Sequence, residues 1–236
     1  MKRLFLIGLF STVTPLLFAA DSGSKSKVSD AAKQLGEKPN YGWTSTSKEA
    51  DGSTGRLGPI EGKTNKEGLT YLSFTVSEFP VEVYIKGEKG TAKVLEGWQS
   101  FEDISQTGGT AAAVVKYLRS SRTPAAESVM LAEKATDLKE AEGVLAGELK
   151  EEAVKELLLR AARRREGQEP PKVSNPKGSI KYWIKDGVLA KYEFNVQGKV
   201  TSGERETEVN RTTTVEIKDA GSTKLELPDE AKEKLT

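Results

Sequence analysis

The chain has 236 residues, 30% of them charged, with 36 Lys and Arg against 35 Asp and Glu for a formal charge of +1, and it holds neither histidine nor cysteine. Those absences exclude a Ser-His-Asp triad, a thiol nucleophile, disulfides and the usual ligands of zinc. The near-zero charge gives no field to draw nucleic acid or an anionic membrane.

The first twenty residues read as a secretory signal: Lys2 and Arg3, apolar runs from Leu4 to Phe10 and Val13 to Phe18, then the small pair Ala19-Ala20. Ser11, Thr12, Thr14 and Pro15 break the run too often for a membrane span, and no later segment is long enough for one. Cleavage would remove Lys2 and Arg3, taking the formal charge from +1 to −1. The expected location is periplasmic or extracellular. No cysteine follows the signal, so no lipid anchor is expected. Residues 21–28, rich in Ser, Lys and Gly, predict a flexible leader, and a single domain is expected over 29–236.

Ser29 reads as the cap of a short helix over Asp30 to Leu35 that Gly36 ends. Strands follow at Tyr41 to Lys48, Leu69 to Val76 and Val81 to Ile85, rich in β-branched and aromatic residues. Asp51-Gly52, Lys66-Glu67-Gly68 and Gly87-Glu88-Lys89-Gly90 supply hairpin turns, so the neighbouring strands should be antiparallel. From Thr110 to Arg163 the apolar spacing lengthens, predicting helices over Ala111 to Ser120, Ala125 to Ala135 and Glu151 to Arg163, with a short strand at Gly143 to Leu149. Residues 163–177 hold three arginines and then Pro170, Pro171 and Pro176, and predict an exposed loop whose charges are solvated.

The C-terminal third carries the clearest pattern. Ile180, Tyr182 and Ile184 alternate with Lys181, Trp183 and Lys185; Asp186-Gly187 turns the chain; Val188, Ala190, Tyr192, Phe194 and Val196 alternate with mostly polar residues. Val209 to Ile217 repeats the scheme, which predicts an antiparallel sheet covered on one side. Lys224 to Leu227 reads as a last extended piece and Asp229 to Leu235 as a weak terminal helix. The economical arrangement is an α+β domain with the helices on one face of the sheet.

Little in the chain points to chemistry. Ser174-Asn175-Pro176-Lys177 and Ser24-Lys25-Ser26-Lys27 have Ser-x-x-Lys spacing, but Pro176 disrupts the helical turn that such a pair needs and the second motif falls in the leader. Glu204, Glu206 and Glu208 read as a solvated hairpin flank rather than a calcium site, because they lack a Gly-bearing, Asp-rich loop. No catalytic residue, metal site or cofactor is expected. Trp183 shares its strand face with Lys181 and Lys185, opposite the apolar row, and is a candidate partner surface.

The run Tyr182-Trp183-Ile184-Lys185-Asp186-Gly187-Val188-Leu189-Ala190-Lys191-Tyr192-Glu193-Phe194, with Thr213 to Asp219, Leu227-Pro228, Val83 to Gly87 and Gly97 to Ser100, resembles the half-barrel LolA-like and LppX-like carriers of lipids and lipoproteins. The resemblance touches about half the chain and implies a strongly curved antiparallel sheet whose concave apolar face is closed by helices, with acyl chains bound between.

The functional expectation is an exported, non-enzymatic protein that binds a hydrophobic small molecule or lipid. Its candidate lining from the strands is Leu72, Phe74, Val83, Ile85, Tyr182, Ile184, Tyr192, Phe194, Val196, Val215 and Ile217. Val114, Leu118, Met130, Leu157 and Leu158 complete it from the helices. A different expectation is an envelope scaffold with a filled core that meets a protein partner; a third is a hydrolase using carboxylates or a Ser-Lys pair.

Overall fold

The computed structural model describes residues 19–54, 58–76, 79–94, 97–161 and 169–235. The expected signal segment up to residue 18 lies outside them, as do residues 163–168 of the expected loop.

Helix α1 spans Ala19–Gly36, so the stretch expected as a flexible leader is helical instead. Val28, Ala31 and Leu35 share one helical face and are at most 2% exposed; the tertiary contact they make overrides the weak propensity of the Ser, Gly and Lys residues before them. Lys27 on this helix pairs with Glu140 at 2.7 Å, which occupies the lysine of the upstream Ser-x-x-Lys motif.

Six strands then run by short connections from the middle of the sheet to one edge: β1 (Asn40–Glu49), β2 (Ile60–Asn65), β3 (Leu69–Val76), β4 (Phe79–Lys86), β5 (Lys89–Val94) and β6 (Gly97–Ser100). Three helices, α2 (Phe101–Gln106), α3 (Gly109–Arg119) and α4 (Pro124–Glu133), carry the chain to the opposite edge. There β7 (Ala135–Ala141) and β8 (Val144–Leu149) form a hairpin, and α5 (Glu151–Ala161) leads into β9 (Lys172–Lys185), β10 (Val188–Ser202) and β11 (Arg205–Lys218). Strand β11 pairs with β1, joining the two meanders into one antiparallel sheet of eleven strands among the described residues, in the order β6-β5-β4-β3-β2-β1-β11-β10-β9-β8-β7.

The sheet is open and curved, with α1 to α5 on its concave face. One apolar cluster collects Ala92 of β5, Val215 of β11 and Leu138 of β7 together with residues of all five helices. These strands span about 40 Å of sheet at the usual spacing, so the sheet must bend around the helices to place them in one core. Part of that bend is local. Asn175 and Pro176 stand opposite the single residue Gly198 in a bulge of β9, and Asn175 takes the left-handed φ of 52° that the bulge requires. Residues 172–177 are therefore strand rather than loop, and Ser174 and Lys177 never form the helical turn that a Ser-Lys pair would need. Gly178 and Gly198 leave the room in which Val154 and Leu158 of α5 reach the sheet, since an added Cβ would stand 2.7 and 2.9 Å from those side chains.

Three further corrections concern the edges. Strand β7 starts at Ala135, the expected last residue of a helix, and runs over residues where no strand was expected: its Leu138 is fully buried, Asp137 takes a φ of 52°, and the hairpin turns at Glu142-Gly143. Residues 224–227 form no strand, because they cross the opposite face of the sheet, where no ladder edge is available. Helix α6 (Asp229–Lys234) departs from the other helices and packs with Leu225 and Leu227 against Tyr84 and Trp98 on that same face, where the Tyr84 hydroxyl donates to the Glu226 carbonyl at 2.6 Å.

Candidate functional site

Strand alternation divides the chemistry between two faces. All sixteen residues expected to line the interior fall in the single apolar cluster between sheet and helices. Tyr182, Val83 and Val196 are fully buried; Ile85, Val114, Met130, Leu157, Ile184 and Ile217 are partly buried against that cluster. These side chains pack on one another in that cluster. Two surface depressions among the described residues lie elsewhere. One, of about 600 Å³, sits between the first half of α1 and the β9–β10 turn and touches only Ile184 of the expected lining. The other, of about 400 Å³, lies on the outer face among Thr44, Thr46, Glu193, Thr212, Thr214 and Glu216.

Polar groups enter this interior from both layers. Tyr182 of β9 donates to the Ser128 carbonyl at 3.0 Å, and Tyr192 of β10 donates to Glu127 Oε2 at 2.6 Å. Tyr41 of β1 directs its hydroxyl toward Thr123 and the Ala125 backbone. Three strands thus hold α4 by phenolic groups that rise through apolar surroundings, an arrangement that spares each buried hydroxyl the cost of losing water unpaired.

Glu127 is the charged member. Burial pushes its carboxyl above the ordinary range, while the Tyr192 hydroxyl and the charges of Arg160 and Arg122 pull the other way. Burial raises the phenols of Tyr192 and Tyr182 as well, and the charge of Glu127 adds to both. On α5, Arg160 places its guanidinium 5.4 Å from the Tyr117 ring centre and donates through Nη2 to the Ser120 carbonyl at 2.5 Å. Its Nε is buried and has no hydrogen-bond partner among the described residues. At the neighbouring end of the sheet's inner face Arg211 faces Glu49 at 3.9 Å across β11 and β1, and the Ser47 and Thr213 hydroxyls meet at 2.8 Å.

Reading the sequence for alternating apolar residues missed Tyr41, Tyr117, Glu127, Arg160 and Arg211. The available signal was Glu127 itself, which stands on the face of α4 that buries Pro124, Ser128 and Leu131, where a carboxylate is out of place.

Trp183 lies on the outer face, half-buried, with Lys191 Nζ 4.9 Å from its ring centre. Glu206 and Glu208 both approach Lys199, at 2.9 and 3.5 Å, which accounts for that acidic run as an ion-paired hairpin flank. Among the described residues no group of three or more carboxylates is placed to hold a metal ion.

No protein-family model matches the chain, and no curated protein matches it. Solved structures do. The chain is similar to the Mycobacterium tuberculosis lipoprotein LppX at 9% identity, covering 84% of this chain and 94% of that one, with a TM-score of 0.46. It is similar to LprF from Mycobacterium bovis at 8% identity, 89% and 98% coverage and a TM-score of 0.48. A LolA superfamily protein from Nitrosomonas europaea is similar at 10% identity, 88% and 96% coverage and a TM-score of 0.34. The likeness is one of fold.

Proposed function

We propose that this is an exported, single-domain, non-enzymatic protein that holds a hydrophobic ligand, a lipid or acyl chain, between the curved sheet and its helical layer. The observation that carries the reading is the continuous apolar face of the sheet, roofed by α1 to α5, with charged and phenolic groups concentrated where α3, α4 and α5 meet it. An interior designed only for stability gains little from a desolvated carboxylate, because replacing buried charge with well-packed apolar groups is commonly neutral or favourable. Export follows from the N-terminal segment, and the absence of imidazole and thiol removes most groups that titrate near neutrality. A chain would enter as the helical layer moves outward from the apolar residues it covers. Native mass spectrometry of the exported protein tests this: co-purifying lipid, or saturable uptake of a fluorescent fatty acid, is expected. Repeated preparations with neither would rule the function out.

The half-buried Trp183 on the outer face favours one other reading, an envelope scaffold that engages a protein partner through that side chain. Cross-linking in the envelope to one defined partner, lost on Trp183→Ala without loss of folding, would establish it.

A further inference from the structure

We propose that Arg160, held against Tyr117 and next to Glu127, is a head-group site that receives the oxyanion of an amphiphile, a carboxylate or a phosphate, whose chain lies in the apolar interior. The assignment deepens the acyl-binding function proposed above and rests on it.

Three observations converge. First, the guanidinium is fixed on two sides: the Tyr117 ring lies 5.4 Å away, and Nη2 is engaged by the Ser120 carbonyl, which ends α3. A cation held this way has lost much of its freedom before any ligand arrives. Second, its Nε is buried with no acceptor among the described residues, and an unpaired buried donor costs stability that an incoming oxygen would recover. Third, described cations gather here: Arg160 and Arg211 act electrostatically on Tyr117, Arg160 and Arg122 on Glu127, and Arg211 faces Glu49. Capping of α3 by Arg160 explains Nη2 but leaves Nε without a purpose.

Guanidinium groups pair with planar or tetrahedral oxyanions, and Nε takes part in the side-on geometry of such pairs. The neighbouring apolar side chains are Val114 and Leu118 on α3 and Leu157 and Leu158 on α5, so a head group at Arg160 would leave its chain beside the candidate lining.

The test uses the full mature chain with bound fluorescent fatty acid displaced by palmitate, by 1-palmitoyl lysophosphatidate and by hexadecanol, which has the chain without the charge. The wild type is expected to prefer at least one anion over the alcohol by about tenfold, the order a charge-assisted hydrogen bond supplies. Arg160→Gln should abolish that preference while leaving hexadecanol within about twofold of its original affinity. Loss for palmitate alone identifies a carboxylate site, loss for lysophosphatidate alone a phosphate site, and loss for both a general oxyanion site. Equal binding of alcohol and anions by the wild type, or equal weakening of all three in the variant, overturns the head-group assignment and leaves acyl binding intact. Failure to take up any of the probes removes acyl binding and the head-group site together. Should Arg160→Gln not fold, Arg160→Lys, which keeps the charge but lacks Nε, is read against the same alcohol control.

Discussion

The two faces of the sheet are built from the same strands and solve opposite problems. On the concave face, apolar residues of the sheet meet apolar faces of five helices, and the polar side chains Tyr182, Tyr192 and Thr213 each hydrogen-bond within it. On the outer face of β9 to β11 and β1 the polar side chains partner one another: Asn195 donates to Asn210 and Thr212, Thr214 donates to Glu193, and Lys199 pairs with Glu206 and Glu208. Water could replace any of those outer partners at little cost, whereas no water stands ready for the inner ones. The outer face has a dry exception at β3 to β6, where the C-terminal segment and α6 lie over Tyr84 and Trp98. Stability should therefore be concentrated on the inner face, and polar function should be easiest to find where that face breaks its own rule.

The strongest challenge to this contrast is to hollow out the inner face. Phe101 is 1% exposed and rests on Gly90, where an added Cβ would come within 2.2 Å of its ring. Phe101→Ala should cost about 3–5 kcal/mol, read as a drop in the urea midpoint. A loss below about 1 kcal/mol would show that the helical layer contributes little to the core.

Titration of Glu127 gives the next effect. Burial holds its carboxyl above the ordinary value of 4.5, so the folded chain takes up that proton at a higher pH than the unfolded chain does. Its contribution to stability is fully present below the unfolded value and is lost as pH rises through the folded one. Glu127→Gln should flatten this part of the pH dependence and raise stability at neutral pH, because the amide oxygen can still accept from Tyr192. Tyr192→Phe removes a donor that favours the charged form, so it should move the loss to higher pH. Urea midpoints from pH 4 to 8 decide both; an unchanged slope in Glu127→Gln would mean the carboxyl is solvated after all.

On the dry patch of the outer face, Tyr84→Phe deletes the hydrogen bond to the Glu226 carbonyl. The expected loss is about 1 kcal/mol, accompanied by faster amide exchange in residues 219–235 and no change in β9 to β11. Faster exchange spread over the whole sheet would mean that the C-terminal segment belongs to the main core.

Legibility in the sequence followed the same division. The β9–β10 hairpin and β11 could be read because large apolar residues alternate with polar ones over their length, and the fold class follows from them together with the helical spacing of α3 to α5. Strands β2 and β5 could not. Their inward positions are Gly62 and Thr64, and Gly90 and Ala92, kept small because Trp43 and Phe101 lie against Gly62 and Gly90 and supply the apolar cover from elsewhere in the chain. Asn175 and Pro176 signalled a loop, yet the bulge that bends β9 uses the properties that discourage a regular strand. The start of α1 lacked periodicity because its burial depends on α4 and the sheet, which are distant in sequence. For the candidate site, the apolar row was visible and the polar cluster was not: Glu127, Arg160 and Arg211 look like ordinary surface charge until topology brings α3, α4, α5 and the inner face of β11 together.

The smallest effect is expected at Trp183. The tryptophan is large and aromatic, yet it stands half-buried on the wet face with Lys191 over its ring, where a cation over an indole contributes about 0.5–1 kcal/mol. Trp183→Ala should therefore lower the urea midpoint only slightly and leave fatty-acid uptake unchanged, since the side chain faces away from the interior. Lys191 would keep its pairing with Glu216 at 3.4 Å, which limits the loss further. A fall comparable to that of Phe101→Ala would show that the outer face carries a second core around Trp183. Reduced lipid uptake at unchanged stability would instead connect the two faces functionally, and the division between a dry binding side and a wet exterior would have to be abandoned.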